Sequence, residues 1–438
     1  MEDKDLTTVL PDSDVHKELK EDEQAKIMDK AVREQLTHMP YVTASSCHPF
    51  GVVVPTKLAY ETMESMKDFY GQGIDTTDII KSELKYSSKL AVDKAFGAEQ
   101  VDAIALAIKQ IKIGKGFIVG DVPGIGKGRI CAGMMRYAIQ QGKIPIFITA
   151  LPTLFSDIYR DIKDIGLFES GGNLPVPFIF NSGENAFIYD KQAIGGTPKI
   201  LFRPATTAKT VEICINNTSG ELPKGYDFIM LTYSQIAANL NSPKQANAKA
   251  KYDFLKTIIP NAILIMDESH KGAGQGTTAD NVTELIALAK GVVFASATYS
   301  KVPESMIMYM PKTDIWDSNI RPKTIIDLVR QNGEVVQEYV AGLLVKSGQM
   351  IRRERTFEGC TMEFMYDDTK PKETYYEQYD KVMTLFNDID LFCKSDLYKK
   401  AHEEAIQRYA KSESIKVVPK DKRRPPSNAA QRAKWDSE

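Results

Sequence analysis

Apolar residues change their rhythm along the chain. From Thr56 to Gln110 they recur at helical spacing, in pieces broken at "GQG" (71–73) and "FG" (96–97). The middle then carries short, nearly continuous apolar runs: "FIVG" (117–120), "IPIFITA" (144–150), "DFIMLTY" (227–233), "AILIMDE" (262–268) and "GVVFASAT" (291–298). Amphipathic stretches separate several of them. In "KGRICAGMMRYAIQ", Ile130, Met134 and Tyr137 share one helical face. Strands that are apolar on both faces and alternate with helices predict an α/β fold with a parallel sheet covered on both sides. The stretch 171–226 interrupts this alternation with Gly, Pro and Asn and with the strand-like pieces "PFIF", "KILFR" and "VEICI". It is expected to be an insertion at the sheet's edge.

The flanks differ from this core. Residues 1–40 are charge-rich and predict an arm or helix, and 41–95 a helical subdomain that opens on the loop-like "YVTASSCHPFGVVVP". The core lobe is placed at 96–310. A mixed, partly helical extension follows at 311–410, with a helix near 323–330 and "GLLVKSGQMIRRERTFEGCTMEFMY" expected as two strands around a turn. The basic, Pro-containing 411–438 reads as a linker.

Composition narrows the class. A hydrophobic content of 43% suits a globular protein of 438 residues, and a net charge of −2 gives no global positive field. Any nucleic-acid contact must then use a local groove. Five scattered cysteines without a C-x-x-C pair, and five histidines without a cluster, argue against a disulfide framework or a zinc site. The acidic, polar N-terminus has no signal-peptide core, and no apolar run approaches the roughly 20 residues a membrane span needs. A soluble, cytoplasmic protein without a membrane partner is expected.

Chemistry concentrates in four places. "GDVPGIGKGR" (120–129) follows an apolar strand and precedes an amphipathic helix, the setting of a phosphate-binding loop. Gly124, Ile125, Gly126, Lys127, Gly128 and Arg129 form its candidate nucleotide-binding stretch. The glycines let backbone N–H groups approach phosphate oxygens, and Lys127 supplies a cation. The usual Ser or Thr after the lysine, which would hold magnesium, is replaced by Gly128. "ILIMDESH" (263–270) ends a strand in two carboxylates, of which Asp267 suits Mg²⁺ and Glu268 the activation of an attacking water. "FASAT" (294–298) closes the next strand with Ser296 and Thr298, in the order and spacing of the coupling element of superfamily 2 helicases. Upstream, Gln100 in "FGAEQVDAIALAI" is a candidate for reading an adenine edge. Thr153 and Ser156, then Tyr233 and Ser234, follow two further strands and are candidate nucleic-acid phosphate contacts. The run "IRRER" (351–355) is read as a solvated strand edge, with a nucleic-acid groove as the alternative.

With these residues in place, the chain resembles the strawberry-notch family of superfamily 2 ATPases. It is most similar to the bacterial and phage branch, whose motors occur in very large proteins that can also carry methyltransferase domains. The resemblance spans roughly residues 45–360 and is carried by "AEQVDAIALAI", "GDVPGIGKGRICAGMMRYAI", "PIFITALPTLFSDIYRDIKDIG", "LTYSQ", "MDESHKG" and "FASATYSKVPESMIMY". It implies a RecA-like P-loop NTPase lobe of a DNA-directed motor that binds ATP and Mg²⁺. Lys127 would bind phosphates, Asp267 the metal, and Glu268 would be the catalytic base. Gly128–Arg129 fits the family's own loop, so Asp267 and waters are expected to carry more of the magnesium. Family members use a second RecA-like lobe, and about 80 residues after 360 do not hold one. The chain is therefore expected to be a piece of a longer protein or one product of a split gene, with its second lobe in cis or in trans. It is expected to be weak as an isolated ATPase, since an arginine supplied by a partner can contribute on the order of 10³-fold in rate. The alternative is a non-catalytic structural or virion-associated module that keeps the fold.

Overall fold

The computed structural model describes residues 37–71, 73–167, 174–190, 198–237, 245–273, 276–298, 303–315, 322–355 and 377–386. At its centre lies a parallel sheet built from β3 (Gly116–Val119), β4 (Ile144–Thr149), β5 (Pro177–Ile179), β8 (Phe228–Thr232), β9 (Ala262–Asp267), β10 (Gly291–Ala295) and β11 (Met350–Ile351). Their spatial order is β11-β3-β10-β9-β4-β8-β5. Alternate residues of these strands serve opposite faces. Ile263 and Ile265 join one buried cluster, while Leu264 and Met266 join the other. Burial on both sides explains why the strands read as unbroken apolar runs rather than as alternating ones.

Among the described residues, four helices precede β3: α1 (Thr56–Tyr70), α2 (Thr76–Glu83), α3 (Lys89–Ala95) and α4 (Ala98–Lys112). Their breaks fall where Gly71–Gly73 and Phe96–Gly97 interrupt the pattern. Before them, β1 (His38–Pro40) and β2 (Val52–Pro55) pair antiparallel. Then α5 (Lys127–Gln140) follows β3, and α6 (Phe155–Asp164) follows β4. The stretch expected as an edge insertion contributes β5 to the main sheet's edge. It also holds an antiparallel pair, β6 (Ile188–Asp190) and β7 (Lys199–Phe202), and α7 (Thr207–Asn216).

Two local expectations are corrected. "VEICI" lies inside α7, because the Thr206 side chain caps the helix by accepting from the Lys209 N–H, and Thr210, Val211 and Cys214 then bury one helical face. "GLLVK" is the end of α12 (Glu334–Lys346), and the strands come only afterwards, as β11 and as β12 (Glu354–Arg355), which pairs with β2. Further helices of the first unit, among the described residues, are α8 (Ala246–Ile258), α9 (Thr277–Leu288), α10 (Met306–Tyr309) and α11 (Pro322–Asn332), the last covering the helix expected near 323–330. The first compact unit ends at Glu358. Of the second, residues 377–386 are helical. The arm at 1–36, the linker at 411–438 and most of the helical stretch 371–410 lie outside the described residues.

Register fixes where chemistry can occur. Val119, Ala295 and Asp267 are paired across β3, β10 and β9. The loop after β3, Ser296 and Glu268 therefore leave the sheet at one level, at the carboxyl ends of parallel strands. Ligands of α/β sheets bind at that edge.

Candidate phosphate-loop site

The loop between β3 and α5 turns through Gly124 (φ +96°) and Gly126 (φ +87°), both in the left-handed region that an L side chain avoids. Gln100 holds it from below. Its Oε1 accepts from the Gly97 N–H at 3.1 Å, closing the first turn of α4, and its Nε2 donates to the Ile125 carbonyl at 3.1 Å. The carboxamide proposed for adenine recognition is thus engaged in joining α4 to the loop. Lys127 opens α5, and its Nζ donates to the Asp121 carbonyl at 2.8 Å. Arg129 crosses to α3 and α6, with Nη1 on the Ala95 carbonyl at 3.0 Å and Nη2 on Asp164 at 2.9 Å.

A second layer braces the loop from the far side. Arg353, fully buried, grips the fully buried Asp121 carboxylate through Nε at 3.1 Å and Nη2 at 2.7 Å. The Arg353 N–H also reaches Asp121 at 2.9 Å, and the Val122 N–H bonds the Arg353 carbonyl at 3.0 Å. The guanidinium lies 5.1 Å from the Tyr41 ring centre. Arg355 donates to the Gly124 carbonyl. The run expected as a solvated edge is therefore only partly so, because its central arginine is sealed beneath the phosphate loop. Its partner is 232 positions away in sequence, so no local pattern marks the pairing.

Across the cleft, the Thr149 hydroxyl donates to Asp267 Oδ2 at 2.9 Å. Burial pushes the Asp267 carboxyl up, opposed by the Thr149 bond, and the neighbouring Glu268 pushes it up further. Glu268 is in the left-handed region at φ +46°, a conformation a non-glycine residue rarely takes. Strain of this kind concentrates at functional sites. It ends β9 sharply and leaves the Glu268 side chain 42% exposed, 3.4 Å from His270 Nδ1. The same His270 nitrogen lies 2.9 Å from Ser296 Oγ. Ser296, which is buried, also accepts from the Thr298 N–H at 3.2 Å. His270 thus links the acidic strand end to Ser296 and Thr298.

The nucleic-acid candidates divide. Ser156 is 4% exposed and accepts from the Tyr189 N–H at 3.1 Å, while Tyr233 is 5% exposed and donates to the Asp267 carbonyl at 2.9 Å. Both side chains are engaged inside the protein, which revises their expected use. Thr153 and Ser234 are at the surface.

Gly124, Gly126, Lys127, Gly128, Arg129, Gln100, Asp161 and Asp267 together line one cleft of about 620 Å³, which also reaches Phe50 and Phe96. Among the described residues, no group of three or more acidic, His or Cys side chains forms a self-sufficient metal site. The donor chemistry suits a metal shared with a ligand instead, since Mg²⁺ commonly takes one or two carboxylates and draws its remaining oxygens from phosphates and water. No helix among the described residues is long and apolar enough to cross a membrane.

Residues 72–381 match the family model of the P-loop containing NTP hydrolase pore-1. The chain is similar to human strawberry notch homolog 2 (25% identity over 64% of this chain and 19% of that protein) and to human strawberry notch homolog 1 (25% over 66% and 20%). Similarity extends to Drosophila melanogaster strawberry notch, at 26% over 62% of this chain and 15% of that protein. The chain thus spans about a fifth or less of the length of the curated relatives it matches. A solved Sulfolobus solfataricus SWI2/SNF2 ATPase core in complex with dsDNA aligns over 67% of this chain and 53% of its own, with 14% identity and a TM-score of 0.37.

Proposed function

This chain belongs to the P-loop containing NTP hydrolase pore-1 family and is strawberry-notch-like, and on that premise we propose that it is the ATP-binding lobe of a DNA-dependent superfamily 2 ATPase. One observation carries the reading: the β3–β10–β9 register brings the lysine loop, the paired carboxylates and the Ser-Ala-Thr segment to one edge of the sheet.

In this reading the loop N–H groups and the start of α5 receive the triphosphate. Lys127 exchanges the Asp121 carbonyl for the terminal phosphates. Asp267 holds the Mg²⁺, which when bound neutralises charge on the phosphates. Glu268 orients the attacking water and accepts its proton. His270 passes the state of that carboxylate to Ser296 and so to the loop after β10. The cleft is open to solvent, and a second RecA-like lobe, in cis or in trans, would close it and add arginines. Thr153 and Ser234, exposed after β4 and β8, carry the hydroxyls for DNA phosphate contact, Ser234 while sharing a 2.8 Å hydrogen bond with the Thr232 hydroxyl.

ATP turnover with and without duplex DNA, measured beside Glu268→Gln, tests this reading. DNA stimulation that disappears in Glu268→Gln is expected. Turnover that ignores both DNA and the substitution contradicts it.

A further inference from the structure

Gly128 leaves the loop without the hydroxyl that ordinarily meets magnesium, and the structure shows what stands there instead. A Cβ added at Gly128 would overlap Asp161 Oδ2. Asp161 belongs to α6, more than thirty residues along the chain, yet its carboxylate fills the space a Ser or Thr side chain would need. Its side chain is 14% exposed and lines the same cleft as Lys127, Gly126 and Asp267.

The two oxygens of Asp161 are used differently. Oδ1 faces Arg129 Nε at 3.6 Å and Arg160 Nη2 at 3.7 Å. Both distances exceed a charge-assisted hydrogen bond. Oδ2 faces Gly128, and no hydrogen bond to it is found among the described residues. A carboxylate oxygen without a short partner, in a cleft beside a phosphate-loop lysine and a second carboxylate, is placed to receive a hard cation.

We propose that Asp161 replaces the missing loop hydroxyl, presenting Oδ2 to the Mg²⁺ of the bound nucleotide opposite Asp267. This rests on the nucleotide reading above. Gly128 is then a requirement of the arrangement, since any side chain there displaces the carboxylate. The exchange of a neutral ligand for a charged one has a consequence for affinity. With the metal present, two carboxylates anchor the complex. Without it, they repel the triphosphate.

The test is the affinity of a fluorescent ATP analogue in Mg²⁺ and in EDTA, for the wild-type chain and for Asp161→Asn. The ratio of the two affinities should fall by about tenfold or more in Asp161→Asn, about 1.4 kcal/mol of metal coupling, with metal-free binding unchanged or tighter. A merely structural role would weaken both. Gly128→Ser combined with Asp161→Ala restores a hydroxyl in place of the carboxylate and should recover much of the ratio. The electron paramagnetic resonance spectrum of Mn²⁺ bound with nucleotide should also change in Asp161→Asn. An unchanged ratio and an unchanged Mn²⁺ spectrum, in a variant with wild-type circular dichroism, would overturn the inference. If Asp161→Asn does not fold, Gly128→Ala, whose methyl displaces the carboxylate without supplying a hydroxyl, must lower the ratio. ATP binding that depends on Lys127 but not on Asp161 sinks this inference alone. Wild-type chain that binds no ATP sinks the nucleotide reading with it.

Discussion

Glu268 holds a backbone conformation that costs an L-residue about 1–2 kcal/mol. That cost marks a site where position is kept at the expense of stability. Asn tolerates the left-handed region better, so Glu268→Asn should melt at or above the wild-type temperature while ATP turnover falls by about 10² or more. Calorimetry beside a phosphate-release assay checks both halves, and a clear loss of thermal stability would remove the strain argument. Arg353 gives the opposite case. Arg353→Met strands the buried Asp121 carboxylate and should cost about 3–5 kcal/mol in denaturant unfolding, much of it returned when Asp121→Leu is added. At this scale, sequence carried far where the chemistry is local. Lys127, Gly126, Asp267 and Ser296 announce themselves by strand-end context, and the fold brings them to one edge. Asp161 and the Arg353–Asp121 pair were not legible, because each exists only through the approach of distant segments. Ser156 and Tyr233 carry hydroxyls just beyond the ends of β4 and β8, but burial engages them elsewhere.

Among the elements, α4 does the most to place the site. It is buried on nearly every side, and the polar residues of its first two turns are engaged. Glu99 accepts from the Phe50 and Gly51 N–H groups, Gln100 holds the loop, and Asp102 accepts from Tyr41, Ala44 and Thr76. The helices before β3 are thereby joined to the phosphate loop through one element. Asp75 caps α2 and also holds Ser46 and Lys89. Burial opposes its ionisation, but hydrogen bonds from Lys89, Ser46 and Thr77 outweigh burial and bring its carboxyl down to about 2 from 3.8. Because the folded value is the lower one, Asp75 stabilises the fold above about pH 4. That contribution, about 2 kcal/mol, is lost as pH falls through about 2. Unfolding free energies measured across this window should show a smaller acid-dependent loss in Asp75→Asn than in wild type, and equal losses would contradict it. Element types followed from periodicity wherever burial was two-sided or the helical face was long. "VEICI" failed because its β-branched residues suggest a strand, while the Thr206 cap and one buried face decide for a helix.

For the whole molecule, a parallel sheet and its carboxyl-end cleft were implied by the alternation of apolar runs and amphipathic helices. The last strand was not. β11 comes from beyond the expected end of the lobe at residue 310 and pairs with β3, so the segment that follows the lobe also braces its phosphate loop. The central claim is that this cleft binds a nucleoside triphosphate through Lys127. Isothermal titration of Mg–ATP into the chain and into Lys127→Ala tests it most directly. The expected result is a single site in the wild-type chain, with affinity at least about tenfold weaker in the variant, a difference of about 1.4 kcal/mol. A folded wild-type chain that gives no binding heat, or equal affinities for the two proteins, would contradict the account.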